Sequence, residues 1–260
     1  MTGSPPRRVT PDPALEHRVE SAAATPSHPL LIAHRGASRE RPENTLPAFL
    51  RALELGAKAI ELDVHGSRDG VLIVHHDEVP RATAPSGALA GRRIDSLTFD
   101  QLQGFSVGGV ALIPTLAEVL AVVKGRAQIF IEIKGAGIEE LVVKVIRESC
   151  APDTCAVHSF DHDAVQRVRE LAPELRRGIL FDRAPEDVID AMRSTGALDV
   201  WQQWDLVDSA LVEAVHSEGG RVIPWTVNRP EAAKALAVLG VDAICTDRLP
   251  EIRKALRSAS

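Results

Sequence analysis

The sequence predicts a (β/α)8 TIM barrel, in which eight parallel strands close into a barrel and each strand is followed by a helix. Two observations predict this fold class. Short apolar runs alternate with helical segments from Leu30 onward, and eight such strand–helix units imply a parallel sheet that closes on itself. A chain of 260 residues that is 45% hydrophobic can form one such domain, which we place at residues 29–260. A doubly wound open sheet is the alternative, but no glycine-rich dinucleotide fingerprint supports it.

The predicted elements follow in a regular order. The barrel strands are expected at residues 30–34, 59–65, 128–133, 154–159, 177–181, 199–204, 221–227 and 242–246. The helices are expected at 45–55, 115–124, 137–149, 161–171, 185–194, 207–218, 230–239 and after Pro250. Asn44 is the expected N-cap of the first helix, and Gly56 follows its last turn. Pro224 removes a backbone donor within a predicted strand and therefore predicts a bulge.

A β-hairpin is expected directly after the second strand. Segment 59–65 alternates apolar and polar residues, which is the period of a strand with two different faces. The turn signal RDG follows, and the next apolar run begins too soon for a parallel crossover. Segment 71–76 should therefore return antiparallel and set His75 and His76 opposite Asp63 and Leu62.

Composition and charge exclude several classes of protein. A formal net charge of −6 argues against a nucleic-acid partner, which usually meets a basic face. No segment approaches the run of about 18 apolar residues that spans a bilayer, so we expect no stable membrane insertion. Residues 1–28 are polar, lack the apolar core of a secretory signal and are expected to form a flexible tail. Three sparse cysteines without zinc-type spacing predict reduced thiols in a cytoplasmic protein.

An ordered set of short motifs resembles the glycerophosphodiester phosphodiesterase family. The motifs are AHRG, PENT, IELDV, DG and HHD, followed by IEIK at 131–134, HSF at 158–160, WTVN at 225–228 and ICTD at 244–247. The resemblance covers about residues 30–250 and implies the same barrel. In this family the weakly periodic stretch 78–114 corresponds to a small insertion over the barrel mouth. One or two helical turns are expected within it at 97–105.

Charged residues at the ends of the predicted strands supply metal and phosphate chemistry. Glu61, Asp63 and Glu132 offer three hard oxygen ligands, which suit Mg²⁺ or Ca²⁺, and by resemblance they match the family's metal site. Arg35 and Lys134 are expected to bind the remaining phosphate oxygens. We expect the partner to be a small-molecule phosphodiester; the oligomeric state stays open.

His34 and His76 are the expected proton carriers, because imidazole titrates close to neutral pH. His75 competes with His76, and the choice rests on the family's final His-Asp pair. Glu43 either orients Arg35 or favours the positive end of the first helix. Trp225 either forms an apolar wall for the substrate or fills the barrel, and we favour the wall. The remaining polar candidates are interpreted as structural, packing or surface residues: His65, His158, His162, His216 and Asp247.

The expected reaction is metal-dependent hydrolysis of a glycerophosphodiester to an alcohol and glycerol 3-phosphate, with acid–base catalysis by two histidines. A phospholipase D-like cleavage of lysophospholipids is one alternative, and an exposed apolar lip in 78–114 would favour it. A non-catalytic barrel that binds phosphorylated ligands is the other. The sequence leaves open which histidine is the acid. It also leaves open whether water attacks directly or the reaction passes through a cyclic phosphate intermediate. The preferred alcohol is also open.

Overall fold

The computed structural model describes residues 28–84, 86–149 and 152–258. Apart from His28, the predicted tail at residues 1–28 lies outside this range. The strands, in chain order, are β1 (Leu30–Ala33), β2 (Ala59–Gly66), β3 (Leu72–Val74), β4 (Ser106–Val107), β5 (Ala111–Leu112), β6 (Gln128–Ile133), β7 (Cys155–Ser159), β8 (Arg176–Phe181), β9 (Asp199–Gln203), β10 (Arg221–Trp225) and β11 (Ala243–Thr246).

Helices occupy the intervals between the barrel strands. They are α1 (Leu46–Glu54), α2 (Phe99–Leu102), α3 (Leu116–Val123), α4 (Glu139–Ser149), α5 (His162–Leu171), α6 (Val188–Thr195), α7 (Ser209–Ser217), α8 (Pro230–Leu239) and α9 (Leu249–Arg257). None of the helices within the described ranges combines the length and the apolarity needed to cross a bilayer.

Eight strands form a nearly closed parallel barrel, which confirms the predicted fold. The ladders run in the order β10-β9-β8-β7-β6-β2-β1-β11. Two backbone hydrogen bonds join the ends of this path. The Asp242 amide donates to the Val222 carbonyl at 3.1 Å, and the Val227 amide donates to the Cys245 carbonyl at 2.9 Å. Neighbouring strands are thus consecutive barrel units, as repeated strand–helix units require.

The predicted bulge at Pro224 is wrong. β10 keeps an unbroken register with β9, from Arg221 paired with Asp199 to Trp225 paired with Gln203. Val222 directs both its amide and its carbonyl toward Asp242, which precedes β11. Pro224 lies two residues later and shares that orientation, so its missing N–H faces the β10–β11 seam. The proline leaves a gap in the ladder and does not bend the strand.

Alternation along the strands separates two parts of the core. In β6, Ile129, Ile131 and Ile133 pack against residues of the surrounding helices, whereas Phe130 packs inside the barrel. The interior cluster also contains Trp201 of β9, which is 1% exposed. This parity leaves Glu132 on the inner face of β6, near the strand's carboxyl end.

The hairpin after β2 has the predicted register. β3 pairs antiparallel with β2, with Val64 opposite Val74, and the His75 amide donates to the Asp63 carbonyl at 3.1 Å. Gly70 in the turn has φ +79°, a conformation that glycine adopts without a steric penalty. The following insertion contains the predicted helical turn, α2. It also contains a small hairpin, β4–β5, that was not predicted.

Candidate active site

Polar side chains from the carboxyl ends of the barrel strands converge on one cavity. Its lining residues are His34, Arg35, Glu61, His76, Glu132, Lys134, His158, Phe160, Leu180, Trp201, Trp225, Thr226 and Cys245. This is the end of a parallel barrel where active sites form. Asp63 and Glu43 do not line the cavity themselves, but both form ion pairs with Arg35, which does. The structure therefore brings together the nine residues predicted for the site.

His34 follows β1 and is held by a residue from the other end of the chain. Its Nδ1 lies 2.7 Å from Oδ1 of Asp247, which follows β11, the strand next to β1. Its Nε2 lies 3.9 Å from Oε2 of Glu61. With Nδ1 bonded to the carboxylate, Nε2 is the nitrogen on the Glu61 side of the ring.

Asp247 has a more specific role than the structural one assigned from the sequence. Ser38 Oγ donates to its Oδ1 at 3.0 Å, and Asn228 Nδ2 donates to its Oδ2 at 2.6 Å. Burial would raise the pKa of this carboxyl, but the hydrogen bond with His34 and the two other donors hold the pKa at about 2. Asp247 is therefore a charged acceptor that orients His34.

His76 meets a second aspartate in the same way. Its Nδ1 lies 2.7 Å from Oδ1 of Asp77, whose carboxylate also forms an ion pair with Arg81. The imidazole of His76 lines the cavity, and burial lowers its pKa below the ordinary value. His75 is instead buried outside the cavity and accepts a hydrogen bond from the Arg81 amide at 3.0 Å. Strand alternation does not decide between the two histidines, because β3 ends at Val74.

Arg35 links three carboxylates. Its backbone amide donates to Oε2 of Glu61 at 3.0 Å, and Nη1 donates to Oε1 of Glu43 at 2.9 Å. Its Nε lies 3.2 Å from Oδ2 of Asp63. Burial would lower the pKa of the guanidinium, but these carboxylates, led by that of Asp63, raise it. Of the two interpretations of Glu43, the structure displays the contact that orients Arg35.

Asn44 was predicted to cap α1, and this prediction is wrong. Thr45 is the N-cap, and its hydroxyl accepts from the Ala48 amide. Asn44 has φ +56°, in the left-handed region, and donates from Nδ2 to Oδ2 of Asp63 at 2.7 Å. Asparagine tolerates this conformation better than most residues, which allows its side chain to turn toward the site.

The carboxylates of Glu61, Asp63 and Glu132 are buried and lie close enough together to interact electrostatically. Burial raises the pKa of Glu61 well above its ordinary value, and burial with the charge of Asp63 raises that of Glu132 to about 7. Burial would also raise the pKa of Asp63, but Arg35 and Lys134 lower it. Lys134 donates from Nζ to Oε1 of Glu132 at 2.9 Å. The protein's own cations thus leave part of this negative charge uncompensated.

The donor set fits a divalent cation. Oδ1 of Asp63 is buried and accepts no hydrogen bond from the described residues. Ligand atoms of Glu61, Glu132 and His158 lie within 4.8 Å of one another. Buried carboxylates with raised pKa values and a buried acceptor without a donor are what a positive ion would stabilise.

His158 was interpreted as an ordinary packing residue, but it lies in the cavity. Its ring stacks on the indole of Trp201, with centroids 4.2 Å apart and planes 2° apart. Burial lowers its pKa to about 3, so it is neutral near pH 7. Trp225 lines the same cavity, and its ring meets Phe160 edge-to-face at 5.4 Å. Trp225 also packs against the interior cluster of the barrel, so an apolar wall for the substrate stays a prediction.

Comparison with known proteins places this arrangement in a family. The chain matches the model of the glycerophosphoryl diester phosphodiesterase family over residues 34–251. It is 34% identical, over 84% of its length and 93% of the relative, to a glycerophosphodiester phosphodiesterase of Caldanaerobacter subterraneus subsp. tengcongensis. A similar protein from Bacillus altitudinis with the same description is 32% identical over 87% of this chain and 99% of that protein.

Solved structures agree with this placement. A phosphodiesterase from Oleispira antarctica, in complex with the product sn-glycerol-3-phosphate, superposes with a TM-score of 0.80 and 26% identity over 88% of this chain and 97% of that one. A glycerophosphodiester phosphodiesterase from Thermotoga maritima gives a TM-score of 0.73 and 27% identity over 87% and 98%. The family match covers most of the barrel, including every predicted site residue. The chain therefore belongs to the glycerophosphoryl diester phosphodiesterase family.

Proposed function

We propose that this chain hydrolyses glycerophosphodiesters, with the help of a divalent metal ion, to an alcohol and glycerol 3-phosphate. The observation that carries the proposal is the placement of two histidine–aspartate pairs, three carboxylates and two basic side chains around one cavity. The product in the Oleispira antarctica relative supports the glycerol 3-phosphate half of the substrate.

Arg35 and Lys134 are the proposed phosphate ligands. Both line the cavity, and the side chains of both are largely buried, at 16% and 20% exposed. Glu43 and Asp63 hold the guanidinium, while Glu132 holds the ammonium, so both groups are oriented before substrate arrives. A fixed positive group in a partly dry site interacts strongly with an anion. Trp225 would contact the glycerol or alcohol carbons beside this phosphate.

Glu61, Asp63 and Glu132 are the proposed metal ligands. All three offer oxygens, including the Asp63 oxygen that has no hydrogen-bond donor among the described residues. Oxygen ligands suit Mg²⁺ or Ca²⁺. When bound, the ion would supply positive charge that stabilises the phosphoryl oxygens in the transition state.

His34 and His76 are the proposed proton carriers. Asp247 and Asp77 each bond Nδ1, which fixes the ring and leaves Nε2 as the reactive nitrogen. One histidine accepts the proton of the attacking oxygen, and the other protonates the leaving alkoxide. The attacking oxygen belongs either to water or to the substrate's own glycerol, and both routes need the same pair of imidazoles.

The direct test is release of glycerol 3-phosphate from a panel of glycerophosphodiesters with different alcohols. We expect release that stops with a chelator and resumes when Mg²⁺ or Ca²⁺ is added. Bis-p-nitrophenyl phosphate serves as a generic diester. Full turnover by protein shown to be metal-free would rule out the metal-dependent mechanism, and failure to cleave any diester would support a binding protein instead.

The phospholipase D-like alternative gains one observation. The β4–β5 hairpin lies in the 78–114 insertion and exposes Val110 at 75% and Leu112 at 56%. If this apolar tip contacts lipid, replacing both residues with Asp should reduce cleavage of lysophospholipid in vesicles several-fold and leave soluble diesters unaffected. If the variant cleaves lysophospholipid in vesicles as fast as the unaltered chain does, this alternative is wrong.

A cytoplasmic location is part of the proposal. Cys155 and Cys245 are buried thiols, and Cys150 lies outside the described residues. Reduced thiols are typical of the cytoplasm, where disulfides are rare.

A further inference from the structure

His158 lines the cavity, has no role in the proposed reaction and, among the described residues, has a ligand atom close to those of Glu61 and Glu132. It lies in β7, where the parallel register pairs it with Glu132 of β6. Paired residues on adjacent parallel strands project to the same side of the sheet. Its side chain therefore lies on the same inner face of the barrel as Glu132, and the residue is 1% exposed.

The distances fit ligands of a common ion. A ligand atom from each of Glu61, Glu132 and His158 lies within 4.8 Å of the other two. Metal–oxygen and metal–nitrogen distances are about 2.0–2.6 Å, so two ligands of one ion lie at most about 4–5 Å apart. The three side chains can thus reach one ion without movement of the strands that carry them.

The His158 ring is fixed and has an unused donor site. It stacks on Trp201, which in turn meets Phe130 edge-to-face at 5.4 Å. Its Nδ1 is buried and has no hydrogen-bond partner among the described residues. A buried polar atom without a partner destabilises the folded chain, and coordination or a bound water at the site would remove that cost. A ring held in this way is also preorganised for a ligand.

We propose that His158 coordinates the divalent ion together with Glu61 and Glu132, so that this chain binds a mixed oxygen–nitrogen metal centre. This inference rests on the metal site of the proposed function and changes the ion that the site should prefer. Imidazole favours transition-metal ions, whereas Mg²⁺ and Ca²⁺ prefer all-oxygen sites. The chain should accordingly select Mn²⁺, Co²⁺ or Zn²⁺ over Ca²⁺ to a degree that carboxylates by themselves would not provide.

The test compares His158→Gln with the unaltered chain in metal-free form. Glutamine keeps a polar side chain and offers an oxygen where the imidazole offered nitrogen. We expect calorimetric titration to show an affinity for Mn²⁺ about 10–100-fold weaker in the variant, as losses around metal sites typically are. The affinity for Ca²⁺ should change less than about 3-fold, because an oxygen donor remains. His162→Gln, at the start of α5 and absent from the cavity lining, is the matched control.

A second measurement detects the nitrogen ligand in the unaltered chain itself. Pulsed electron paramagnetic resonance of Mn²⁺ bound to the unaltered chain should show coupling to a ¹⁴N nucleus, and His158→Gln should abolish it. Absence of that coupling in the unaltered chain, or its persistence in the variant, would overturn the inference. So would an equal loss of Mn²⁺ and Ca²⁺ affinity.

The outcomes separate this inference from the proposed function. If glycerophosphodiesters are cleaved with Ca²⁺ or Mg²⁺ and no nitrogen coupling is found, the role of His158 is wrong and the function stands. If Mn²⁺ binds with nitrogen coupling but no diester is cleaved with any ion, the metal centre stands and the function is wrong.

Discussion

His34 and His76 each meet an aspartate through Nδ1 at 2.7 Å, but the two aspartates are supported by different parts of the molecule. Asp247 lies 213 residues from His34 and is held by Ser38 and Asn228. Asp77 is the next residue after His76, and its ion-pair partner Arg81 has a side chain that is 78% exposed. The first pair belongs to the closed barrel, whereas the second belongs to the segment that follows the hairpin.

This difference separates two ways of positioning an imidazole. In the first pair the carboxylate is fixed by side chains that follow two other barrel strands, Ser38 after β1 and Asn228 after β10, so its geometry depends on closure of the barrel. In the second pair the contact is local, and the exposed ion pair behind it is worth about 0–1 kcal/mol. We therefore expect the first pair to respond strongly to changes in its support and the second to respond weakly.

The largest expected effect tests whether both histidines act at all. His34→Ala and His76→Ala should each lower kcat by about 10²–10⁴-fold, because each removes a proton carrier. A p-nitrophenyl leaving group should restore turnover to the variant that lost the acid and not to the other. His162→Ala is the control, with a histidine outside the cavity lining. A normal kcat in either alanine variant would show that the replaced histidine does not carry a proton in the reaction.

The next effect compares the aspartates. Asp247→Asn should lower kcat by about 10²-fold, because an uncharged amide cannot stabilise the imidazolium and can hold the wrong tautomer. Asp77→Asn should lower it by about 10-fold, since Asp77 is more loosely held. The measurement is kcat with a soluble diester, with thermal unfolding as the check on folding. Equal losses of kcat in the two variants would mean that the contacts of Asp247 with Ser38 and Asn228 do not make its pair with His34 more effective.

A smaller effect concerns the residues behind the aspartates. Asn228→Ala removes a donor at 2.6 Å to Oδ2 of Asp247 and the acceptor of the Asp247 amide. We expect a loss of about 10-fold in kcat, in line with one hydrogen bond to a charged group. Arg81→Ala should change kcat less than about 3-fold, because the pair it removes is exposed. A larger loss in Arg81→Ala than in Asn228→Ala would reverse the comparison.

The last prediction concerns stability, not activity, and tests His75, the residue that precedes the second pair. Burial lowers the pKa of His75 from 6.5 to about 4 in the folded chain. Between these pH values the unfolded chain binds the proton and the folded chain does not, so stability falls as pH drops from 6.5 to about 4. This difference between the two pKa values corresponds to a loss of at most about 3–4 kcal/mol in the free energy of unfolding.

His75→Gln removes this titration and keeps an acceptor for the Arg81 amide. Urea unfolding at pH 7 and pH 4.5 should therefore show a smaller loss of stability in the variant than in the unaltered chain. His216→Gln is the control, since its histidine is partly exposed and lies beside Asp242. An unchanged pH dependence in His75→Gln would show that His75 is not the group that titrates.

The fold was predictable because its signals are local. Apolar runs and helical segments repeat along the chain, and the tripeptide ending in Gly70 sets the hairpin register. The bulge at Pro224 was predicted wrongly, because the sequence does not tell which edge of a strand faces a weak ladder. The β4–β5 hairpin was missed because two-residue strands carry no periodicity.

The site was predictable where residues lie on the strands themselves. Glu61, Asp63 and Glu132 follow from alternation, whereas the support around them depends on contacts between distant segments. Asp247 reaches His34 only through closure of the barrel, and no spacing in the sequence marks that contact. Asn44 was misjudged because a helix N-cap and a left-handed residue that turns inward look alike in sequence. His158 both lines the cavity and packs on Trp201, and strand position alone does not distinguish packing from ligation.

In the proposed mechanism, the bond between His34 and Asp247 also makes activity depend on completion of the C-terminal part of the chain. During synthesis, His34 and the three carboxylates Glu61, Asp63 and Glu132 are made long before Asp247. Until β11 docks beside β1, the imidazole of His34 lacks the carboxylate that sets its tautomer. If His34 carries a proton in the reaction, cleavage of a diester reports that β11 is paired with β1, and turnover should not recover during refolding before this pairing has formed.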